Sequence, residues 1–445
     1  MMTSAGPQEA LLAEEAAFGA AFRAAAERAR GLNQETGGLR PRGIIIPAGG
    51  ARMFTCAWVA VRMLRDYLKT TLPIQIWHIG PEEMSPAMIA LMADQQVECV
   101  DALALAHQEE GDVELGGFEL KSFALLHCRF RQVVLLDADN VPLIDPAELL
   151  EHEAFRREGS IFWPDLLSIS ASSRIWELCA VNFRQMPSFE SGQMVIDRER
   201  HFPALALSWF LNRHARIIYR HIYGDKDTFL LAWLALGAPF HLVAHSVRRL
   251  YGCLCQHHPD GRRMFQHRSL RKWKLHGENP LIQGFLEEER CLGYLQELRS
   301  AWNGRVFAPP PYDREMRDLE SQLLAQRFFR LETVTVGAEL VELLPGNLLR
   351  SGRPQPVCWW LMRDGQHVKL LLGEDRVINR CFDSHSPDYW RSRASNTREQ
   401  DLVLTFERDP GSLTPRGHNT SSATSILKGW QRNYRPLHAG KGESS

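Results

Sequence analysis

The sequence predicts an α/β protein with a doubly wound, mostly parallel sheet and a second, smaller β domain. Short apolar runs alternate with helical segments from residue 43 onward, as expected for βαβ units. The run Val133–Leu136 is apolar without interruption, which is typical of a strand buried on both faces of a parallel sheet. From about residue 334 the strand-like runs follow one another without helices between them, which indicates a separate β-rich unit.

The composition is that of an ordinary water-soluble protein. The chain has 445 residues, of which 44% are hydrophobic and 24% charged, and its formal net charge is −1. With a charge so near zero, nothing suggests nucleic acid or an anionic membrane as a partner. The sequence shows neither the roughly 18-residue apolar stretch of a transmembrane segment nor a signal peptide, and its nine cysteines lack framework spacing. We therefore expect a cytoplasmic protein, soluble or in peripheral contact with a membrane.

Composition shifts divide the chain into four segments. Residues 1–42 are expected to form an amphipathic helix at 7–31, packed on the main domain or on a partner, and a polar linker. Residues 43–330 form the predicted α/β domain, and residues 331–408 a small antiparallel β domain. Residues 409–445 are rich in Ser, Gly, Pro and Arg, a composition typical of disorder.

Each predicted element rests on its local pattern. Strands are short apolar runs bounded by Gly, Pro or polar residues, and helices are longer segments with apolar residues at helical spacing. In the α/β domain we predict strands at 44–46, 74–79, 97–100, 133–136, 159–165 and 193–196, and helices at 53–68, 84–92, 119–126, 175–179, 202–223 and from the 224–229 cluster to 236. In the β domain we predict strands at 334–336, 339–344, 358–362, 368–372 and 402–406.

Two carboxylates directly follow the buried strand. Asp137 and Asp139 flank one alanine after Leu136, and ligands of open α/β sheets bind beyond the carboxyl ends of the strands. Carboxylate oxygens suit Mg²⁺ or Mn²⁺, whose coordination is usually completed by substrate phosphates. An Asp-x-Asp pair also occurs by chance in loops. His267 ends a later strand-like run and is a candidate third ligand, although a buried or surface histidine without a metal is the simpler alternative.

Small residues and cations supply candidate contacts to a nucleotide diphosphate. Ala48, Gly49 and Gly50 follow the first strand, where the lack of bulky side chains lets the backbone approach a nucleotide closely. Lys121 lies near the start of a predicted helix and could meet a phosphate or a base edge. Lys272 lies in a basic run after His267. Each lysine also has an ordinary alternative role as a solvated surface residue.

Two further clusters place acids beside the predicted crevice. Glu190, Gly192 and Gln193 lie at the start of a predicted strand, where the glycine permits close approach and the polar side chains can face one cleft. A tight turn with a solvated glutamate is the alternative. Asp225 and Asp227 flank a lysine at a predicted helix start, and helix capping alone would explain only one of these acids.

Taken together, residues 43–275 resemble the fungal-type α-mannosyltransferases of glycosyltransferase family 71. The matching segments are Ala-Gly-Gly at 48–50, Leu-Pro-Ile at 72–74, Glu-Leu-Lys at 119–121, Leu-Leu-Asp-Ala-Asp-Asn-Val-Pro at 135–142, Ile-Phe-Trp-Pro-Asp at 161–165, Phe-Glu-Ser-Gly-Gln at 189–193, Gly-Asp-Lys-Asp-Thr-Phe at 224–229 and Phe-Gln-His at 265–267. The resemblance implies a GT-A fold, which is a Rossmann-like nucleotide-diphospho-sugar transferase domain.

The resemblance also implies a reaction and a set of roles. The expected enzyme is a retaining, metal-dependent transferase that moves mannose from GDP-mannose to a hydroxyl of a glycan, glycolipid or glycoprotein. The expected ligands of Mn²⁺ or Mg²⁺ are Asp137, Asp139 and His267, and the expected catalytic carboxylates are Glu190, Asp225 and Asp227. The expected donor-binding residues are Ala48, Gly49, Gly50, Lys121, Asp137, Gly192, Gln193, Lys226 and Lys272.

Several alternatives stay open. A looser similarity to the retaining transferases of family 8, which have comparable polar clusters in the same order, would fit a UDP-hexose donor. A catalytically inactive carbohydrate-binding protein and a nucleotidyltransferase are further alternatives. A haloacid-dehalogenase phosphatase fits less well, because its Asp-x-Asp follows the first strand of the fold and here several strands come before it.

Overall fold

The structure is a computed structural model that gives the chain with side chains. It describes residues 7–33, 38–81, 83–109, 115–275, 278–302, 304, 312–333, 337–344, 348–350, 357–364, 367–374, 377–386, 389–392 and 402–407. The chain forms two compact units, residues 1–307 and residues 308–445. The predicted strand at 334–336 and the predicted tail at 409–445 lie outside the described residues.

The described helices and strands are numbered in chain order. The helices are α1 Pro7–Arg30, α2 Gly50–Arg62, α3 Pro86–Asp94, α4 Ala102–Glu109, α5 Glu119–His127, α6 Ala147–Glu151, α7 Glu153–Glu158, α8 Ile175–Leu178, α9 Arg198–Arg213, α10 Ala215–Ile218, α11 Lys226–Leu236, α12 Glu288–Ala301 and α13 Arg314–Gln326, with a π-helical segment at Met63–Tyr67. The strands of the first unit are β1 Arg40–Pro47, β2 Ile74–His78, β3 Val97–Asp101, β4 Phe130–Leu136, β5 Asn140–Pro142, β6 Ser160–Pro164, β7 Phe189–Asp197, β8 His241–Leu242, β9 Arg248–Leu250, β10 Cys253–His257 and β11 Arg263–His267. Those of the second unit are β12 Phe328–Thr333, β13 Gly337–Leu344, β14 Leu348–Arg350, β15 Val357–Asp364, β16 His367–Glu374, β17 Val377–Ser386, β18 Tyr389–Ser392 and β19 Leu402–Phe406.

The first unit is built on a seven-stranded sheet with the order β3-β2-β1-β4-β7-β6-β8. Strands β3, β2, β1 and β4 run parallel to one another, whereas β7 runs antiparallel to both β4 and β6. A second sheet, β5-β11-β10-β9, is antiparallel. A parallel β3-β2-β1-β4 half with an added antiparallel sheet is the arrangement expected of the GT-A fold, so the predicted fold class is confirmed.

Strand β4 is buried on both faces, as its uninterrupted apolar sequence predicts. Val134 and Leu136 belong to the hydrophobic core on one side of the sheet, and Val133 and Leu135 to the core on the other. Successive side chains of a strand point to opposite faces, so both faces must be covered by other elements. The strand therefore holds the residues that follow it, Asp137 and Asp139, in a fixed position.

Helix α1 packs on the first unit, which was one of the two predicted alternatives. Phe18 and Phe22 are buried against Phe210 of α9, with ring centroids 6.2 and 6.3 Å apart. Glu15 is also buried, and its Oε1 lies 2.9 Å from Nε2 of His221. The expected linker up to residue 42 ends earlier, because β1 already begins at Arg40.

Two predicted elements differ from the structure in ways that affect the crevice. The predicted strand 193–196 is the longer β7, so Glu190 and Gly192 lie within a strand and not in a turn before it. The pairing of β6 with β7 shifts register between Ile161 and Trp163, which makes room for this segment. The predicted helix 202–223 is divided into α9 and α10 at His214, whose backbone is not helical.

In the described part of the second unit, eight strands close into an antiparallel barrel. The first strand, β12, pairs with both β13 and the last strand, β19. Met316 and Leu323 of α13 are buried in the same core as Trp359, so the predicted boundary at 330/331 falls inside this unit. Throughout the described residues, every helix is too short or too polar to cross a lipid bilayer.

Candidate active site

Asp137, Asp139 and His267 converge beyond the carboxyl end of β4. One ligand atom from each lies within 4.8 Å of the others. Nε2 of His267 is 3.3 Å from Oδ1 of Asp139 and 3.8 Å from Oδ2 of Asp137. His267 reaches this position because β11 pairs with β5, where His267 lies opposite Asn140. The structure thus brings together the three residues that the sequence nominated as metal ligands.

The loop between β4 and β5 is fixed by backbone contacts to β7. The carbonyl oxygen of Gly192 accepts hydrogen bonds from the backbone N–H of Asp137 and from Nδ2 of Asn140, both at 2.8 Å. The carbonyl of Asp139 accepts from the N–H of Arg268 at 2.9 Å. These bonds tie the two aspartates to the strands on either side, so the cluster is preorganised.

Glu190 holds the imidazole of His267 in a defined orientation. Its Oε1 lies 2.9 Å from Nδ1 of His267 and accepts from the backbone N–H of Gly192 at 2.9 Å, while its Oε2 accepts from Nε2 of Gln193. A carboxylate only accepts hydrogen bonds, so Nδ1 carries the proton and Nε2 faces the two aspartates. This carboxylate–histidine arrangement is the usual support of a metal-binding histidine.

Charges in the cluster shift the pKa values of its members. Burial alone would lower the pKa of His267, but Asp139 and Glu190 outweigh burial and raise it to about 10. Burial works against the charged form of Asp139, yet His267 and Lys272 hold its pKa well below the usual range. Burial raises the pKa of Asp137, partly offset by Lys121.

Lys121 connects the Asp137–Asp139–His267 cluster to Asp225. Its Nζ lies 2.9 Å from Oδ2 of Asp137, 3.1 Å from Oγ of Ser191 and 3.4 Å from Oδ2 of Asp225. The side chain is almost fully buried, and the attraction of Asp137 and Asp225 raises its pKa despite burial. Lys121 is therefore a buried partner of two carboxylates and not a solvated surface lysine.

Lys226 forms a neighbouring cluster with two more acids. Its Nζ lies 3.0 Å from Oδ1 of Asp227 and 3.2 Å from Oδ2 of Asp165. Burial raises the pKa of Asp165, and the negative charge of Glu190 raises it further. Asp165 ends the Ile-Phe-Trp-Pro-Asp segment at 161–165, and the sequence alone predicted no role for it. The available signal was its position directly after the buried strand β6, which repeats the position of Asp137 after β4.

Small residues are required at the expected nucleotide-binding positions. A Cβ at Gly49 would lie 2.0 Å from Oε2 of Glu83, and Gly50 has a φ of +69° at the start of α2. A Cβ at Gly192 would lie 2.6 Å from Nδ1 of His267. Ala48 is fully buried. The structure therefore explains why these positions hold small residues, while their contact with a nucleotide stays a prediction.

Two other residues nominated as donor-binding occupy different surroundings. Gln193 is fully buried and lies behind Glu190, so its amide supports that carboxylate and does not face open space. Lys272 reaches the Asp137–Asp139–His267 cluster itself, where its Nζ contacts Oδ2 of Asp139.

The linked side chains leave an excess of negative charge. When all are ionised, one group of contacts joins Asp137, Asp139, Glu190 and Asp225 with Lys121, Lys272 and protonated His267. A second group joins Asp165 and Asp227 with Lys226, and each group has one negative charge in excess. Oδ1 of Asp139 is buried, and Nε2 of His267 lies 3.3 Å from it. A buried carboxylate pair with a net negative charge and a histidine nitrogen beside it suit a divalent cation.

Comparison with known proteins finds similarity to mannosyltransferases. The model of the family described as "Mannosyltransferase putative" matches residues 41–186 and 180–258. The chain is 23% identical over 260 residues to an α-1,2-mannosyltransferase of Candida albicans, MNN21, covering 46% of this chain and 39% of that protein. It is 25% identical over 260 residues to the α-1,2-mannosyltransferase MNN5 of Saccharomyces cerevisiae, covering 45% and 44%.

The chain resembles this mannosyltransferase family over residues 41–258, just under half of its length. It spans well under half the length of the two relatives, 39% and 44%. Among solved structures, the mannosyltransferase Ktr4p of S. cerevisiae aligns with 13% identity and a TM-score of 0.33, covering 54% of this chain and 80% of that one. A structural likeness this low supports no argument about activity.

The family match covers only part of the site. Asp137, Asp139 and Glu190 lie within residues 41–258, whereas His267 and Lys272 follow that range. The last two join the site through β11 and the loop after it. The position of His267 beside the two aspartates is therefore known from the structure and not from the family match.

Proposed function

We propose that this protein is a metal-dependent glycosyltransferase that moves a sugar from a nucleotide sugar to a hydroxyl group. The observation that supports the proposal most directly is the Asp137–Asp139–His267 cluster at the carboxyl end of β4. Its relatives are named α-1,2-mannosyltransferases, which favours mannose as the sugar and GDP-mannose as the donor. The proposed acceptor is a glycan, glycolipid or glycoprotein, and the configuration at the transferred carbon is retained.

The proposed cofactor is Mn²⁺ or Mg²⁺, held by Asp137, Asp139 and His267. When bound, such an ion would neutralise the charge that develops on the departing diphosphate. Lys272 lies at the same cluster and would contact the diphosphate oxygens as a second positive group. The small residues Gly49 and Gly50 would allow the nucleotide to approach the end of β1.

The remaining carboxylates would stabilise positive charge on the sugar. Burial raises the pKa of Glu190, but His267 outweighs burial and lowers it overall, so Glu190 is negative at neutral pH and cannot donate a proton. Both of its oxygens already accept hydrogen bonds. Glu190 and Asp225 are therefore suited to electrostatic stabilisation of an oxocarbenium-like transition state, and Asp227 would help to orient the sugar hydroxyls through Lys226.

The metal assignment can be tested with the Asp139→Asn variant. The substitution keeps the shape of the side chain but removes its charge, so Mn²⁺-dependent release of nucleotide from GDP-mannose should fall by about a thousandfold. The matched control is Asp260→Asn, at an aspartate that pairs with His258 outside the cluster. Circular dichroism and Tm establish that both variants fold. Wild-type turnover in Asp139→Asn, together with normal Mn²⁺ binding, would contradict the assignment.

A further inference from the structure

The three most exposed large apolar side chains of the described residues lie on two loops of the first unit, the turn between β9 and β10 and the connection from β11 to α12. Leu270 is 81% exposed, Tyr251 75% and Leu281 70%. Isolated exposed leucines are common, but a contiguous group of such side chains marks an interaction surface.

Direct contacts join the turn that contains Tyr251 to the segment that contains Leu270. The backbone N–H of Leu270 donates to the carbonyl of Gly252 at 3.2 Å. The guanidinium of Arg271 lies over the ring of Tyr251, 4.4 Å from its centroid. Leu270 and Tyr251 are thus presented side by side.

The segment around Leu281, later in the same connection as Leu270, joins this surface. A Cβ built at Gly284 would lie 3.5 Å from Cδ2 of Leu250, and the carbonyl of Gly284 accepts from Nη1 of Arg263 at 2.7 Å. The segment containing Leu281 therefore packs beside the strands that lead to Tyr251. We call the group formed by Tyr251, Leu270 and Leu281 with the basic residues Arg248, Arg249, Arg271 and Lys274 the basic-apolar surface.

The surface is strongly basic. Residues 244–275 contain eight Arg or Lys residues and one Asp, although the whole chain has a net charge of −1. Arg248, Arg249 and Lys274 are exposed, and none of these three pairs with an acid among the described residues. Near Leu281, Glu287 and Glu288 at the start of α12 are paired with arginines, which leaves Glu278 and Glu289 as the exposed acids there.

We infer that the basic-apolar surface docks on a lipid bilayer that contains anionic lipids. Leucine and tyrosine side chains enter the headgroup region, and arginine and lysine side chains meet the lipid phosphates. His267 and Lys272 flank the same loops, so docking places the metal cluster beside the bilayer. The inference concerns where the protein binds and does not depend on the proposed transfer reaction.

Sedimentation of the full chain with vesicles tests the inference. We expect binding to vesicles of phosphatidylcholine with phosphatidylglycerol, weaker binding at high salt, and little binding to phosphatidylcholine alone. The double variant Leu270→Ser, Leu281→Ser should bind about a hundredfold more weakly, since each buried leucine is worth about tenfold. Replacing Arg248 and Arg249 with Gln should cost about fivefold each.

Matched exposed residues provide the control. Leu12 and Ile89 are 44% and 42% exposed on helices α1 and α3, and their replacement with Ser should leave vesicle binding unchanged. Equal loss in this control would overturn the inference, as would a wild-type protein that ignores anionic vesicles. A wild-type dimer that dissociates on changing Leu270 and Leu281 would also overturn it, because a second copy would then cover the surface.

Discussion

Metal binding at Asp137, Asp139 and His267 should release one proton. Nδ1 of His267 donates to Glu190, so the proton that must leave is the one on Nε2. Burial works to lower the pKa of His267, but Asp139 and Glu190 raise it to about 10. Below that pH the metal-free site holds a proton that an incoming cation has to displace.

The sign and the size of the effect follow from this pKa. Because the cation competes with a proton, its affinity should rise with pH, by about tenfold or about 1.4 kcal/mol for each pH unit. Between about pH 6 and pH 8 the apparent Kd for Mn²⁺ should therefore fall by about a hundredfold.

Calorimetry measures both quantities. Titration of Mn²⁺ in buffers with different ionisation enthalpies gives the number of protons released, which should be about one at neutral pH. The His267→Gln variant should bind Mn²⁺ weakly and lose this proton release. A pH-independent Kd with no released proton in the wild type would refute the assignment of His267 as a ligand.

Two further substitutions test the support around the site. In Gly192→Ala, the new Cβ would lie 2.6 Å from Oε1 of Glu190 and from Nδ1 of His267, so Mn²⁺ affinity should fall about tenfold in calorimetry. Because overpacking costs about 1–3 kcal/mol, Tm should also fall. Unchanged affinity would mean that Glu190 and His267 can move to accommodate the methyl group. In Glu288→Gln, a buried partner 2.7 Å from Nη1 of Arg268 loses its charge, so the free energy of unfolding in urea should fall by about 3 kcal/mol. A loss under about 0.5 kcal/mol, the range of surface changes, would show that the pair adds nothing to stability.

Local sequence patterns were sufficient for the centre of the fold. The run Val133–Leu136 has no polar side chain, so it could be stable only between two cores, and the structure provides both. The carboxylates Asp137 and Asp139 follow it directly, so their location at the crevice followed from strand direction. The alternation of apolar runs with helical segments likewise predicted the parallel direction of β1, β2, β3 and β4.

Long-range pairing could not be predicted from local patterns. Closure of the barrel depends on pairing between β12 and β19, which lie far apart in the chain and carry no mutual signal in one sequence. Helix α12 was not predicted, although Glu288 at its start binds Arg268 beside the site. The supporting role of Gln193 was also not predicted, because whether its amide faces a cleft or a neighbouring carboxylate depends on the packing of β7.

The most direct test of the proposed function is release of nucleotide from sugar donors by the purified wild-type protein. GDP-mannose, UDP-glucose, UDP-galactose and UDP-N-acetylglucosamine would each be assayed with Mn²⁺ and then with EDTA. We expect slow hydrolysis of GDP-mannose with Mn²⁺, and EDTA should abolish it. Hydrolysis of a UDP-sugar instead would correct the donor, and no hydrolysis of any donor, with no nucleotide binding by calorimetry, would contradict the proposed transferase activity.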